Sequence, residues 1–313
     1  MKDHGNAWRA PGRRKFLAGA GAAMIAPAFS ASAFAAGGEK LFKTIPSTGE
    51  KIPAIGMGSW LTFDVGANED LRAARTDVLK TFFDLGGALV DSSPMYGTSQ
   101  SVIGDALSRL NRPDALFAAD KVWINARSAG PAQIEESRRH WGVEQFDLLQ
   151  VHNLVSWRAH LDTLFAMKAD GRLRYVGITS YDGIAYDEVE RVMRDHPVDF
   201  VQVSYNLGDR RAEQRLLPAA QDKGVAVIAN RPFQEGSLID AAMRHKLPAM
   251  GAEIGAESWA QFLLKFIVSH PAVTAAIPAT RRADHMRENM GALLGPQPDA
   301  AFRAKMKQAF DAL

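Results

Sequence analysis

From Leu41 onward the chain repeats one pattern: a short apolar run, a break, then a longer stretch with apolar residues at helical spacing. The apolar runs are Ala54–Met57, Ala88–Asp91, Ala115–Lys121, Phe146–His152, Leu173–Thr179, Phe200–Val203, Val225–Ala229 and Val273–Pro278. They read as strands buried on both faces of a parallel sheet. Helical patterns lie between and after them, over Glu69–Leu85, Ser99–Leu110, Ala132–Trp141, Ala159–Asp170, Tyr186–His196, Arg211–Lys223, Ala256–His270 and Arg282–Leu293. Gly86-Gly87, Gly142, Gly171 and Gly224 fall where helices end and strands begin, as expected of residues that tolerate a left-handed turn. Eight strands alternating with eight helices predict an α/β fold, a closed (β/α)8 TIM barrel rather than an open doubly wound sheet.

Two additions frame the barrel. Leu41–Ile45 and Lys51–Pro53 flank the turn sequence Ser47-Thr48-Gly49-Glu50, which predicts an N-terminal β-hairpin. Pro296 and Pro298 precede a last helical stretch, Ala300–Ala312, expected to pack across the outside. No linker interrupts the pattern, so residues 36–313 are expected to form one domain.

The first residues follow a different pattern. Arg13-Arg14-Lys15-Phe16-Leu17 precedes a weakly apolar, Ala- and Gly-rich stretch, and Ala33-Phe34-Ala35 offers small residues to a signal peptidase. Residues 1–35 therefore resemble a twin-arginine signal peptide. This implies handling by the twin-arginine export machinery, a periplasmic destination and no stable membrane anchor after cleavage. Gly19-Ala20-Gly21 superficially suggests a dinucleotide fingerprint, but no strand precedes it.

Charge is informative only once that segment is removed. The whole chain carries +2, whereas Lys2, Arg9, Arg13, Arg14 and Lys15 against Asp3 give the first 35 residues +4, leaving −2 for the rest. A nearly neutral body without a basic stripe argues against nucleic acid as a partner. The absence of cysteine excludes disulfides, thiolate metal sites and a cysteine nucleophile, and the eight histidines show no metal-ligand spacing.

Chemistry in such a barrel gathers at the C-terminal ends of the strands. Asp91, Lys121 and His152 end the second, third and fourth apolar runs, and Tyr96 lies just beyond the second. Reducing a carbonyl by hydride requires an acid for the developing alkoxide. Tyr96 is the candidate acid, and a tyrosine, with a reference pKa of about 10, needs assistance near neutral pH. Lys121 is expected to lower that pKa, Asp91 to orient and compensate Lys121, and neutral His152 to donate a hydrogen bond to the substrate oxygen. Each residue alone also has an ordinary structural role: loop capping for the aspartate, a core hydrogen bond for the histidine.

The ordered segments Ile55-Gly56-Met57-Gly58-Ser59-Trp60, Asp91-Ser92-Ser93-Pro94-Met95-Tyr96-Gly97, Lys121, Val151-His152-Asn153 and Gly171–Ser180 resemble the signature of the aldo-keto reductases. The resemblance covers nearly everything from Ile45 onward. It implies an NADP-dependent oxidoreductase reducing an aldehyde or ketone to an alcohol. NADPH would be held across the barrel mouth without a glycine-rich phosphate loop. By the same resemblance Thr179, Ser180 and Gln202 would bind the nicotinamide carboxamide. Thr280, Arg281 and Arg282, with Glu288 and Asn289 following, would hold the adenosine end, which favours NADPH over NADH.

Two positions depart from the family pattern. Asn230 stands where many members place a tyrosine that stacks on the nicotinamide, and Ala279 where a phosphate-binding lysine is common. Arg231 is the candidate to compensate through the phosphates. Trp60, Met95 and Trp123 are the expected substrate-binding residues, forming an apolar pocket at the mouth. The alternative to an enzyme is an exported nicotinamide-binding sensor or regulatory barrel without steady turnover.

Overall fold

The computed structural model describes residues 39–313, and the export segment expected over residues 1–35 lies outside the described residues. An antiparallel hairpin opens the chain: β1 (Phe42–Thr44) and β2 (Lys51–Pro53), with Phe42 opposite Pro53. Eight parallel strands follow: β3 (Met57–Gly58), β4 (Leu89–Asp91), β5 (Phe117–Val122), β6 (Leu148–Val151), β7 (Tyr175–Thr179), β8 (Phe200–Ser204), β9 (Ala226–Asn230) and β10 (Val273–Ala276). Each pairs with the next in sequence order. Bridges Ile55↔Ala276 and Gly58↔Ala279 join the first strand to the last, so the sheet is a nearly closed (β/α)8 barrel.

The helices are α1 (Glu69–Asp84), α2 (Ser99–Arg109), α3 (Gly130–Trp141), α4 (Trp157–Ala169), α5 (Tyr186–Asp195), α6 (Leu216–Lys223), α7 (Ser237–Ala242), α8 (Trp259–Val268), α9 (Ala283–Met290) and α10 (Ala300–Asp311). Their ends have local causes. The side chains of Asn68, Ser258 and Asp299 accept from the N–H groups of Leu71, Gln261 and Phe302, capping α1, α8 and α10. Gly142 and Gly224 end α3 and α6 at φ of 65° and 66°.

Three boundaries differ from the sequence expectation. The stretch expected over Arg211–Lys223 divides into a 3-10 turn, Arg211–Glu213, and α6. Pro218 explains the break: inside a longer helix it would lose one hydrogen bond and clash with the preceding turn, whereas α6 keeps it in the first turn. The first barrel strand begins at Met57, because Ala54–Gly56 bonds to Leu41 and to Ala276 of β10 while pairing with β4 starts only at Met57. The connection from β9 to α8 contains α7 and a 3-10 turn, Ala249–Ile254, which the hydrophobic pattern did not indicate.

The barrel interior has an apolar floor. Leu89, Phe117, Leu148, Tyr175, Phe200 and Ala226, the first residues of β4 to β9, cluster with Ile45 and Ile52 from the hairpin. The hairpin therefore closes the N-terminal end, where each buried isoleucine contributes about 1.5–3 kcal/mol. Above this floor, Asp91, Lys121, Gln150 and Gln202 are buried as a polar layer toward the strands' C-terminal ends.

Candidate active site

Strand register assembles the site. Asp91 is opposite Ala119, and Lys121 is opposite Gln150, so the lysine stands two residues further along its strand and reaches back to the aspartate. Lys121 Nζ donates to Asp91 Oδ2 at 2.5 Å and to the Ser92 carbonyl at 2.8 Å. Asp91 Oδ1 accepts from Gln150 Nε2 at 3.1 Å and Gln202 Nε2 at 2.9 Å. A side chain at Gly177, opposite Gln150, would put its Cβ 3.0 Å from Gln150 Cγ. Gly177 thus leaves room for Gln150 beside the ion pair.

Tyr96 projects from the turn after β4, with its N–H bonded to the Ser93 carbonyl at 2.9 Å. Its ring centroid lies 5.0 Å from Lys121 Nζ, 5.6 Å from the His152 ring in an edge contact, and 6.3 Å from the Trp60 ring. His152 opens a 3-10 turn immediately after β6. Its Nδ1 lies 2.8 Å from Ser93 Oγ, and Nε2 has no hydrogen-bond partner among the described residues.

The electrostatics correct one expectation. Burial raises the Tyr96 phenol above its ordinary pKa; Lys121 pulls in the expected downward direction but does not outweigh burial and the nearby carboxylate of Asp91. Tyr96 is therefore held as the protonated phenol. Burial pulls Lys121 down, but Asp91 and Tyr96 more than offset it, and the ammonium is retained. Burial, reinforced by the Lys121 charge, depresses His152 to about 2, which keeps its imidazole neutral.

Of the residues expected at the cofactor, Thr179 ends β7 and its hydroxyl accepts from the Asn153 N–H at 2.9 Å. Ser180 donates its hydroxyl to the Ile184 carbonyl, and its own carbonyl accepts from Asn230 Nδ2 at 3.0 Å. Asn230 Oδ1 accepts from Ser204 Oγ at 2.8 Å. Gln202 differs from expectation: its amide nitrogen serves Asp91, leaving Oε1, 3.5 Å from Asn230 Nδ2, with capacity to accept from a ligand amide. Arg231 pairs with Asp182 and with Glu235 (2.8 Å), and its guanidinium lies 5.1 Å from the Trp60 ring and 4.8 Å from the Tyr181 ring.

Thr280–Asn289 stands apart from the tetrad and meets the mouth where Arg281 Nη2 donates to the Leu61 carbonyl at 3.1 Å. Thr280 Oγ1 accepts from the Arg282 N–H at 3.2 Å. Arg282 is ion-paired with Asp284, whereas Arg281 has no carboxylate partner among the described residues. Asn289 is buried, and the Glu288 carbonyl accepts from Gln261 Nε2 at 3.2 Å. On the substrate side, Met95 is half-buried and its N–H donates to Ser93 Oγ at 3.1 Å. Trp123 is 41% exposed, with its backbone N–H and carbonyl both bonded to the Gln133 amide at 2.7 and 2.9 Å. Among the described residues it makes no hydrogen bond or ring contact with the tetrad.

The sequence expectation did not include Gln150, Ser93 or Asp120. Gln150 left a signal, a polar residue inside the apolar run of β6. Asp120 is buried beside Lys121, where burial pushes its carboxyl up to about 7 against the Lys121 N–H, the Lys121 charge and Gln100.

Comparison with known proteins agrees with this geometry. The Aldo/keto reductase family profile matches residues 54–307. Methylglyoxal reductase YeaE of Escherichia coli is 29% identical over 279 residues, covering 86% of this chain and 95% of that protein. Escherichia coli L-glyceraldehyde 3-phosphate reductase is 25% identical over 309 residues, covering 82% and 88%. A Klebsiella pneumoniae aldo/keto reductase crystallised with NADP and acetate superposes with a TM-score of 0.72 at 25% identity, covering 85% of this chain and 94% of that one. The barrel, the buried Asp–Lys pair below a tyrosine and the family match across most of its length make this chain a member of the aldo/keto reductase family.

Proposed function

We propose that the protein reduces an aldehyde or ketone to an alcohol with NADPH, and that Asp91, Tyr96, Lys121 and His152 carry the proton chemistry. The observation that carries this reading is the buried Lys121–Asp91 pair with the Lys121 ammonium 5.0 Å from the Tyr96 ring. The donor set suits the cofactor: the carboxylate-free Arg281 and the Thr280 hydroxyl fit a 2′-phosphate, and Gln202 Oε1 fits a carboxamide N–H. Bound NADPH supplies the hydride for the carbonyl carbon.

The protein's residues do the rest. His152 donates from Nε2 to the carbonyl oxygen and fixes its angle. Tyr96 delivers the proton to that oxygen as negative charge develops there. Lys121 stabilises the phenolate left behind, and Asp91, held by Gln150 and Gln202, keeps Lys121 in place. Thr179, Ser180 and Asn230 line the nicotinamide side. Glu288 and Asn289, with Thr280 and Arg281, would line the adenosine side, and Arg231, held by Asp182 and Glu235, would meet the phosphates. Trp60, Met95 and Trp123 form the substrate wall.

The test is NADPH oxidation by the purified protein against a panel of aldehydes, ketones and quinones, alongside NADPH and NADH binding by fluorescence. The expected outcome is turnover with at least one carbonyl and a loss of about 100-fold or more in Tyr96→Phe with NADPH affinity retained. Tight binding without turnover on any member of the panel would oppose the enzyme reading, and tighter binding of NADH would oppose the role of Arg281.

We further propose that residues 1–35 direct twin-arginine export to the periplasm, supported by Arg13-Arg14-Lys15-Phe16-Leu17 and Ala33-Phe34-Ala35. A reporter fused to residues 1–40 should leave the cytoplasm and stop doing so when Arg13 and Arg14 are both changed to Lys.

A further inference from the structure

The turn that presents Tyr96 also touches His152, and one hydroxyl makes the connection. Ser93 is fully buried and two of its three polar contacts are internal to the turn: its carbonyl accepts the Tyr96 N–H at 2.9 Å and its Oγ accepts the Met95 N–H at 3.1 Å. The same Oγ lies 2.8 Å from His152 Nδ1. Two hydrogen placements satisfy that short contact. In one, Ser93 O–H donates to an unprotonated Nδ1. In the other, a protonated Nδ1 donates to Oγ, and the serine hydrogen then needs a separate acceptor.

No such acceptor is found for Ser93 Oγ among the described residues; its contacts are the Met95 N–H, already a donor, and His152 Nδ1. A buried hydroxyl hydrogen without an acceptor costs about 1–3 kcal/mol. The first arrangement gives the serine hydrogen an acceptor, and it places the imidazole proton on Nε2, the nitrogen without a protein partner among the described residues.

We propose that Ser93 is a positioning residue that fixes His152 as the Nε2–H tautomer, so that the histidine donates to the substrate carbonyl instead of accepting from it. The proposal rests on the reductase reading for its consequence but not for its geometry. Ser93 also ties the two groups together: the turn held by its carbonyl and Oγ sets Tyr96, and its hydroxyl sets the ring whose edge meets Tyr96 at 85°. The proton donor and the hydrogen-bond donor are thereby oriented by one residue. A tautomer held by the other ring nitrogen's partner is a general device for directing a neutral histidine.

The tautomer is read directly by long-range 1H–15N correlation of the full chain labelled with 15N-histidine, with the His152 signals assigned by their loss in His152→Gln. Wild type should show an unprotonated Nδ1 and a protonated Nε2 for His152. Ser93→Ala should lose that single tautomer, and Ser93→Thr should retain it. In turnover, Ser93→Ala should lower kcat about 10- to 100-fold with NADPH affinity within about twofold, and Ser93→Thr should recover most of the loss.

A protonated Nδ1 in wild type overturns the proposal, as does a Ser93→Thr enzyme as slow as Ser93→Ala while both bind NADPH normally. If Ser93→Ala fails to fold, the wild-type and Ser93→Thr spectra still decide. If the protein binds NADPH but turns over no carbonyl, the reductase reading fails while the spectrum continues to support or refute the tautomer.

Discussion

Two buried acids and bases give opposite pH signatures at the residue scale. His152 is depressed to about 2, far below the ordinary imidazole value, so it stays neutral throughout the working range. In the unfolded chain it regains its usual pKa and binds a proton below it, so the stability from neutral His152 is present above about pH 6.5 and lost as pH falls. Its catalytic consequence is that kcat for carbonyl reduction should show no His152-dependent inflection between about pH 5 and about pH 8. A limb near pH 6.5 that disappears in His152→Gln would contradict this. Asp120 runs the other way. Its carboxyl is raised from 3.8 to about 7 by burial, so between those values the folded protein keeps a proton that the unfolded chain has released. Stability from this group therefore falls as pH rises from about 4 to about 7. Asp120→Asn should remove that fall, gaining on wild type by up to about 4 kcal/mol more at pH 8 than at pH 4. Urea unfolding of both proteins at the two pH values measures it, and a pH-independent difference would show that Asp120 does not titrate there.

At the scale of elements, two glycines that look alike in sequence do different work. Gly171 follows α4 at φ 72° with open space where a Cβ would stand, so Gly171→Ala meets only backbone strain, about 1–2 kcal/mol. Gly104 is inside α2, where alanine would ordinarily improve the helix by about 1 kcal/mol. Here a Cβ would lie 2.0 Å from the His140 carbonyl oxygen of α3, a backbone atom that cannot swing aside. Gly104→Ala should therefore destabilise by about 2–3 kcal/mol and push α2 and α3 apart, as denaturant midpoints would register. Only the helix-ending glycines were legible from the sequence, because a C-cap is a local feature and a helix–helix contact is not. The same distinction runs through the site. Asp91, Lys121 and His152 announced themselves as charged or polar ends of apolar runs. Gln150 and Gln202 became holders of Asp91 only through the register of β4 to β8, and Ser93 only through a contact across 59 residues. Strand existence followed from the apolar runs, but strand ends did not: they depend on where a neighbour offers a partner, as at Ala54–Gly56. Helix α7 is short enough that its pattern is lost within its loop.

At the largest scale, the described residues form a barrel closed at its floor by the hairpin and bounded outside by α10, and one buried guanidinium ties that last helix to the rest. Arg303 donates to the Phe266 carbonyl and to Ser269 Oγ at 3.2 Å, joining α10 to the end of α8. It also donates to the Tyr205 hydroxyl and lies 3.1 Å from Glu213 Oε1, joining α10 to the connection after β8. Its guanidinium covers the Phe266 ring at 4.1 Å. Three chain segments far apart in sequence thus meet at one side chain that is only 8% exposed. Removing it leaves Glu213 without its cationic partner and the Tyr205 hydroxyl without a donor, in a site that burial already makes hostile to the phenolate. Arg303→Ala should cost about 3 kcal/mol, the scale of breaking a buried charge pair from one side. For a protein of this size that corresponds to a Tm lower by about 5 °C. Arg303→Lys should recover only part of it, because a compact ammonium on a single point lacks the planar fork that reaches all four partners at once. Thermal unfolding of the three proteins checks the order. A loss below about 1 °C in Arg303→Ala would instead place the docking of α10 in its apolar contacts around the fully buried Met306.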